Sequence, residues 1–246
     1  MISQTIKDQL APSGTLRVGI NFGNPVLVRR DGATGEWSGV AVDLARELGC
    51  RFELPVELVG FEAAGKMSAA LQSGAWDVAF LAAEPGRADE IAFTAPYLLI
   101  EGTYLIPHGS PIQNFDEVDR AGVRVGMSTG SAYELFLRRN MKHAQMVQAG
   151  SPSATFNLLI DGKADVLAGV RQTLVANSAK LPGARVFDES FMAIGQAIGM
   201  PHGRPAALLA VRQFIEEMKA SGFVAKAIER AGVHGVPVAP SAAVSA

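Results

Sequence analysis

Two pairs of similar stretches constrain the architecture of this 246-residue chain more than any other feature. "TLRVGINFGNP" (15–25) and "GVRVGMSTGSA" (122–132) share Arg-Val-Gly and each predict a strand followed by a loop. "LQSGAWDV" (71–78) and "LIDGKADV" (159–166) align without a gap. Their shared positions are Leu71/Leu159, Gly74/Gly162, Asp77/Asp165 and Val78/Val166. Each copy predicts a helix end, a glycine cap and a strand entered through Asp, so we expect two similar halves.

Helical patterns lie between these markers. "GVAVDLARELG" places its apolar residues on one face and predicts a helix that ends at Gly49. "SATFNLLIDG" predicts a helix that starts at a serine cap and ends at Gly162. Alternating strands and helices predict an α/β fold with mainly parallel sheets, whose ligands bind beyond the carboxyl ends of the strands. Two such halves would enclose one cleft.

The C-terminal region has a different pattern. "RPAALLAVRQFIEEMKASGFVAKAIERAG" (204–232) predicts two helices separated at Gly222. The apolar stripe of the first is Leu208, Val211, Phe214, Ile215 and Met218. The final "VPVAPSAAVSA" (236–246) is expected to be disordered, because it is rich in small residues and proline.

Composition excludes several partners. The chain is 48% hydrophobic and 19% charged with a net charge of -2, so a nucleic acid would meet no basic surface. No apolar run approaches the ~18 residues of a membrane helix, and we expect no stable membrane insertion. "MISQTIKDQLAPSG" lacks the basic start and apolar centre of a secretory signal. The sequence therefore predicts either a cytoplasmic protein or an exported one whose signal was removed.

The residues that could carry metal, redox or cofactor chemistry are few. Cys50 is the single cysteine, so an intramolecular disulfide is excluded, and its apolar surroundings predict a small core residue. His108, His143, His202 and His234 show no ligand spacing. "GMSTGSA" lacks the lysine of a phosphate loop. We expect no metal and no cofactor.

The loop that follows the strand of the second half matches two motifs. Gly126, Ser128 and Gly130 fit the G-x-S-x-G elbow of serine hydrolases, but His143 follows too closely and no acid precedes the later histidines at a strand end. "SAYE" fits a capping box in which Ser131 caps a helix and Glu134 returns a hydrogen bond. A helix N-terminus also attracts carboxylates, so Ser131 can serve both roles.

Two arginines follow the corresponding strands of the two halves. Arg87 comes after "AWDVAFLAAEPG", and Arg171 comes after "DVLAGV". Trp76, directly before Asp77, is predicted to be a packing residue at a helix-to-strand joint. Arg87 and Arg171 are candidates for binding an anion at strand ends.

With these residues in this order, the chain resembles the bacterial extracellular solute-binding proteins of family 3, the polar amino acid-binding components of ABC importers. The resemblance runs from about residue 16 to residue 232. It is carried by "LRVGINFGNP", "GVAVDLARELG", "LQSGAWDV", R-x-x-x-I-x-F-T-x-P-Y from Arg87 to Tyr97, "VRVGMSTGSA" and "DGKADV".

The resemblance implies a type II periplasmic-binding-protein fold, the Venus flytrap, in which two α/β lobes close on a ligand. It places lobe 1 at residues 1–101 and 195–246, and lobe 2 at 102–194. It also implies a monomeric, non-catalytic protein that captures a small solute and hands it to an ABC permease when exported. Location in the periplasm is expected by resemblance, with the cytoplasm as the alternative.

The family's ligand contacts can be carried over by position. The resemblance gives Arg87 the ligand's α-carboxylate in a bidentate pair, assisted by Ser131 of the other lobe, which suits a planar guanidinium and a closing cleft. The expected ligand-binding positions are Arg87, Ser131, Thr129, Gly130, Ala82, Asn21, Asn24, Arg171, Val170 and Gln196.

Several of these positions depart from the family pattern. Val170 stands where an acid usually holds the α-ammonium, and Ala82 stands where a hydroxyl residue is usual, although its N–H could donate. Asn24 replaces the aromatic residue of the first loop, and Gln196 replaces a tyrosine of the return crossing. We therefore expect a carboxylate-bearing polar ligand without a free α-ammonium, unless Glu84 or Glu101 replaces the acid.

An enzyme on the same scaffold is the second functional class. Some superfamily members resemble dehydratases of cyclic carboxylates, and Arg87 would then hold the substrate while Glu84 or Glu101 donated a proton. A cytoplasmic carrier or sensor is a further alternative. The leading expectation is that the protein is not an enzyme.

Overall fold

The computed structural model describes residues 2–244 and confirms the mixed α/β class. The helices of this part are α1 (Gln4–Leu10), α2 (Val40–Phe52), α3 (Ala64–Ala69), α4 (Ala132–Asn140), α5 (Pro152–Ile160), α6 (Arg171–Ser178), α7 (Pro205–Ala220) and α8 (Phe223–Arg230). The strands are β1 (Leu16–Asn21), β2 (Arg29–Arg30), β3 (Trp37–Ser38), β4 (Val56–Phe61), β5 (Val78–Ala82), β6 (Ile91–Phe93), β7 (Leu98–Ile106), β8 (Arg124–Ser128), β9 (Gln145–Ala149), β10 (Val166–Val170), β11 (Arg185–Val186) and β12 (Met192–Pro201). None of the helices among these residues is long and apolar enough to cross a membrane.

The chain divides into two compact units. Unit 1 contains the chain up to Glu62, Lys66–Leu99 and the chain from Gly195 onward. Unit 2 contains Ala63–Gly65 and Ile100–Ile194. Apart from Ala63–Gly65, the chain therefore enters unit 2 within β7 and leaves it within β12.

Unit 1 is built on a sheet with the strand order β4-β1-β5-β12. β1 runs parallel to both β4 and β5, whereas β12 pairs antiparallel with β5 and β6. Trp76 is 1% exposed and its Nε1 donates to Met67 O at 2.8 Å, so its predicted packing role is confirmed. The parallel core of this sheet leaves the carboxyl ends of β1 and β5 free to carry loops.

Unit 2 is built on a sheet with the order β7-β10-β8-β9. β8 runs parallel to β10 and β9, while β7 pairs antiparallel with β10 and β11. Apolar residues of α5, β10 and α6 meet over this sheet. The buried residues of that cluster are Leu105, Leu159, Ala164, Leu167 and Leu174.

The repeated residues of the sequence form the same ion pair in each unit. Arg17 donates to Asp77 through its backbone N (3.1 Å), Nε (3.0 Å) and Nη2 (2.9 Å). Arg124 donates to Asp165 through the same three nitrogens, at 2.8, 3.1 and 2.6 Å. Arg17 is the second residue of β1 and Arg124 the first of β8, and each aspartate directly precedes the neighbouring parallel strand. The repeat thus fixes the start of two adjacent strands in register.

The predicted end of α2 is wrong, because the helix continues through Gly49 to Phe52 and ends where Glu53 adopts a left-handed φ of 54°. A Cβ at Gly49 would lie 2.2 Å from the Val56 side chain. Gly49 therefore permits a close approach of helix and strand rather than a cap. Cys50 is exposed on the outer face of α2, so its predicted burial is also wrong.

The C-terminal region contains the two predicted helices, α7 and α8, separated at Gly222. The expected disorder of the tail is wrong for 236–244. Leu99 N donates to Pro237 O at 3.0 Å, and Ala239 N donates to Tyr97 O at 3.1 Å. The tail therefore pairs with the beginning of β7, whose free edge offered unused backbone groups. The last two residues of that prediction lie outside the described part.

Candidate functional site

Arg87 lies just beyond the carboxyl end of β5 in unit 1. Glu84 caps a short 3-10 turn by accepting from Gly86 N at 2.7 Å, and Pro85 occupies the first position of the turn. The turn brings the Arg87 side chain back over the strand end, where Nη1 donates to Ala82 O at 2.8 Å. Arg87 is 4% exposed, so the sequence places a guanidinium in a buried position by local geometry.

Burial changes the acid-base behaviour of this guanidinium. Removal from water lowers the pKa of Arg87 to about 10, although the nearby Glu84 carboxylate raises it. Arg87 therefore stays charged at neutral pH. A buried cation of this kind favours binding of an anion with a planar pair of oxygens.

Two further predicted positions lie beside Arg87. Ala82 and Gln196 are paired across the antiparallel contact of β5 and β12. Gln196 is 4% exposed, and Ala82 is also 4% exposed. The structure thus brings Ala82, Gln196 and Arg87 to one end of the unit 1 sheet.

Asn21 and Asn24 shape the loop after β1. Asn21 Oδ1 accepts from Gly23 N at 3.0 Å, and Asn24 Oδ1 accepts from Val26 N at 3.2 Å. In each of these two turns, the side-chain amide oxygen accepts a hydrogen bond that a backbone carbonyl accepts in an ordinary turn. These oxygens organise the loop, and any role in ligand binding would fall to the amide nitrogens.

Phe22 of the same loop was not among the predicted residues. It is 42% exposed, and its ring lies 5.4 Å from that of Trp37. The sequence "INFGN" could have identified Phe22 as a candidate site residue. An aromatic residue directly after a buried strand is unusual in a solvent-exposed loop. Phe22 therefore offers an apolar surface at the carboxyl end of β1.

In unit 2, Ser131 follows β8 and caps α4. Its Oγ accepts from Glu134 N at 3.1 Å, as predicted. The reciprocal half of the capping box is wrong, because Ser131 N donates to Ser128 O at 3.1 Å while Glu134 Oε2 accepts from Gly130 N at 3.1 Å. Gly130 adopts a φ of 69°, which favours glycine, and its N–H replaces that of Ser131 at the Glu134 carboxylate.

Glu134 organises this loop more strongly than its sequence pattern indicates. Its side chain is fully buried and accepts from Arg138 Nε at 2.9 Å and from Gln148 Nε2 at 2.7 Å. Thr129 N donates to Ala149 O at 2.9 Å. The loop with Thr129, Gly130 and Ser131 is thus held rigidly at the N-terminus of α4, where the helix dipole favours an anion.

Tyr133, in the first turn of α4, is a second residue near Ser131 that was not predicted. It is 7% exposed, and burial raises the pKa of its hydroxyl. The groups of Ser131 and Ser128 lie within hydrogen-bonding reach and act in the opposite direction. The Ser131 hydroxyl therefore lies among polar groups that can orient it.

Val170 and Arg171 lie at the start of α6. Val170 occupies the N-cap position with no side-chain cap, and it is 9% exposed. The Arg171 guanidinium contacts Glu101 and the carbonyls of 187–189, all within unit 2. The Arg171 guanidinium, which was predicted to bind a ligand, therefore binds groups of the protein. One of these is the Glu101 carboxylate.

The serine hydrolase motif lacks its partners in unit 2. Ser128 is 1% exposed at the carboxyl end of β8. His143 precedes β9, whose first residue pairs with Arg124 at the opposite end of β8. Four residues of strand correspond to about 13 Å, beyond the reach of a nucleophile and its base. Among residues 2–244, no three metal-binding side chains form a cluster.

Solved structures share this architecture. The solute receptor for L-cysteine of Neisseria gonorrhoeae is 24% identical, with a TM-score of 0.79 over 95% of this chain and 96% of that one. AbpA of Streptococcus pneumoniae, an amino acid ABC transporter substrate-binding protein bound to L-arginine, is 20% identical (TM-score 0.77; 91% and 97%). An ancestral amino acid-binding protein described as a precursor of cyclohexadienyl dehydratase is 22% identical (TM-score 0.76; 93% and 99%). At these identities the likeness shows the fold.

Sequence comparison shows the family. No curated relative matches the chain by sequence. The family profile described as "Bacterial extracellular solute-binding proteins, family 3" matches residues 16–233, which is most of the chain. The chain therefore belongs to the bacterial extracellular solute-binding proteins, family 3.

Proposed function

We propose that this chain is a non-catalytic solute-binding protein that captures a small carboxylate-bearing solute for ABC-type import. The observation that carries the proposal is the buried Arg87 guanidinium, which is held at the carboxyl end of β5 and stays charged at neutral pH. Ligands of α/β sheets bind at that end of the strands.

Capture requires groups from both units. The fork of Arg87 matches a carboxylate in a bidentate pair, and the Ser131 hydroxyl and the N-terminus of α4 offer donors to the same kind of anion. A ligand that bonds to both units binds the closed form more tightly, so binding shifts the population toward closure. Delivery to a permease would follow, with export to the periplasm as the family description suggests.

At the ammonium side of the proposed site, Val170 replaces the family's acid, and both other candidate acids have partners of their own. Glu84 Oε2 accepts from Gly86 N at 2.7 Å. Val170 has no charge, and Glu101 already accepts from Arg171 Nε at 2.5 Å. A buried ammonium without a partner costs about 2–5 kcal/mol, which corresponds to several powers of ten in affinity. We therefore infer a ligand without a free α-ammonium, such as a keto acid or a dicarboxylate. Two of the similar structures are described as a protein bound to L-arginine and a solute receptor for L-cysteine. α-Amino acids are therefore the competing ligands.

Calorimetry with matched pairs of compounds tests the proposal. Each α-amino acid is compared with its keto acid, and dicarboxylates are added to the panel. We expect tighter binding of the compounds that lack the ammonium group. Tight binding of an α-amino acid that is lost on its deamination would refute the ligand class. Mass spectrometry of any compound that co-purifies provides an independent identification.

A dehydratase-like activity is the second candidate, and it is favoured by the buried Glu84 near the Arg87 cation. Incubation with prephenate-like cyclic carboxylates separates the two functions. Stoichiometric binding without product supports the solute-binding function, whereas steady product formation that disappears in Glu84→Gln supports the enzyme. Fractionation of the native host tests export: we expect the protein in the periplasmic extract, and its retention in the cytoplasm would favour a carrier or sensor.

A further inference from the structure

The Arg171 guanidinium is surrounded by three successive peptide carbonyls. Nη1 donates to Phe187 O at 2.7 Å, and Nη2 donates to Asp188 O at 2.7 Å and to Glu189 O at 3.1 Å. With the bond from Nε to Glu101, four of the five N–H groups of this side chain are used. These hydrogen bonds hold a backbone segment in one conformation. The Arg171 guanidinium therefore binds groups of the protein rather than a ligand.

Thr103 on β7 binds the same segment from the other side. Its hydroxyl contacts Phe187 O at 3.2 Å and Glu189 O at 2.6 Å, and Thr103 is fully buried. A hydroxyl has one proton, so Thr103 donates to one of these carbonyls. The nearer is Glu189 O, which also accepts from Arg171 Nη2. Glu101, two residues before Thr103 on the same strand, holds the guanidinium from β7.

Backbone contacts complete the attachment. Phe187 N donates to Tyr104 O at 3.1 Å, and Phe191 N donates to Gly102 O at 2.9 Å. A Cβ at Gly102 would lie 2.7 Å from the Phe191 ring, so a larger residue would displace that ring. Residues 187–191 are therefore fixed to β7 immediately before β12 leads the chain out of unit 2.

We propose that Arg171 is a positioning residue that fixes the segment 187–191, through which the chain returns to unit 1, and so limits the movement of the two units during ligand capture. This proposal rests on the proposed function. It assigns Arg171 to the connection between the units instead of the ligand. Loss of the guanidinium would leave the carbonyls of residues 187–189 and the carboxylate of Glu101 without their common donor, which loosens the segment.

The single native cysteine provides a ligand-free test. Cys50 is exposed on α2 of unit 1, and Ile160→Cys adds a second site on α5 of unit 2, where Ile160 is 55% exposed. Spin labels at both positions report the distribution of distances between the units by pulsed EPR. The control for Arg171→Ala is Arg124→Ala, which removes another arginine pair of unit 2 at the start of β8.

We expect Arg171→Ala to broaden the distance distribution relative to the labelled parent, whereas Arg124→Ala leaves it unchanged. Added guanidinium ion should narrow the distribution of Arg171→Ala again, and Arg171→Lys should give an intermediate width. Hydrogen exchange of the Phe191 amide should become about tenfold faster in Arg171→Ala.

Two results would overturn the proposal. An unchanged distance distribution in Arg171→Ala, with or without faster exchange at Phe191, would limit Arg171 to local stability. Equal broadening in Arg124→Ala would show a general loss of stability in unit 2. Because no ligand takes part, these outcomes are independent of whether the proposed carboxylate binds.

Discussion

Asp77 accepts hydrogen bonds from three nitrogens of Arg17, including the backbone N, and its side chain is fully buried. The corresponding Asp165 binds Arg124 in the same way, but its side chain is 36% exposed. The two pairs therefore have the same geometry and differ in their contact with water, which predicts different contributions to stability.

Removal of the two aspartates should separate these contributions. Asp77→Ala removes a fully buried carboxylate and leaves Arg17 and Arg204, which are partly exposed, without it; this should destabilise the protein by about 2 kcal/mol. Asp165→Ala should cost clearly less, because water replaces the lost bonds. Chemical denaturation of both variants measures the difference, and an equal loss of stability would contradict this account.

The Asp165 pair also predicts a pH dependence. The side-chain hydrogen bond from Arg124 lowers the pKa of Asp165 below that of an ordinary aspartate. A carboxyl with a lowered folded-state pKa adds stability above its unfolded pKa, and this contribution is lost as the pH falls through the folded value. The difference in stability between the parent and Asp165→Asn should therefore be present at pH 6 and decrease below about pH 4. A difference that grows on acidification would contradict the assignment.

The C-terminal tail should stabilise unit 1. Lys219 is 8% exposed, and its Nζ donates to Pro240 O at 2.9 Å and to Pro96 O at 3.2 Å. Truncation after Gly235 should lower the melting temperature and increase hydrogen exchange at the Leu99 amide, whose acceptor is in the tail. The Tyr97 amide, which donates to Gln196 O, is the internal control. Unchanged exchange at Leu99 would show that the tail is not attached in solution.

Ser131 should contribute to binding beyond its role as a helix cap. Ser151 caps α5 of the same unit in the same way, with Oγ accepting from Ala154 N at 3.2 Å. Alanine at either position should cost about 1 kcal/mol of stability. Only Ser131→Ala should also weaken binding of the tightest ligand found in the calorimetric panel. Equal affinities of the two variants would limit Ser131 to capping.

Val170→Asp should create affinity for α-amino acids. Val170 has an extended backbone (φ -67°, ψ 130°) at the N-cap of α6, where Asp is favoured. Val170→Asn provides the same cap without the charge. We expect Asp, but not Asn, to improve the calorimetric affinity for α-amino acids by about tenfold or more. No gain in Val170→Asp would show that the ammonium group is held elsewhere.

Sequence alone predicted the features that depend on local pattern. The α/β class, the family and the packing role of Trp76 follow from periodicity and short motifs. The repeated Arg and Asp of the two halves were visible as markers, although their pairing was not. It depends on two adjacent parallel strands, which a linear pattern does not specify.

The features that were missed depend on distant neighbours. Gly49 resembles a helix stop, but the side chain of Val56 explains the glycine. The tail resembles a disordered segment, but the edge of β7 more than 130 residues earlier gives it a partner. The partners of Arg171 lie 16–18 residues later and across β7, so its position at a strand end resembled a ligand site.

The most direct test of the central claim compares Arg87→Ala with Arg17→Ala, a structural arginine of the same unit. Calorimetric titration with the tightest ligand of the panel and thermal unfolding are measured for both. We predict that Arg87→Ala loses binding by about a hundredfold or more with the smaller loss of melting temperature, because one bidentate carboxylate pair is removed. Arg17→Ala should bind normally and melt at a lower temperature. Retained binding in Arg87→Ala, or a larger loss of melting temperature than in Arg17→Ala, would contradict the account.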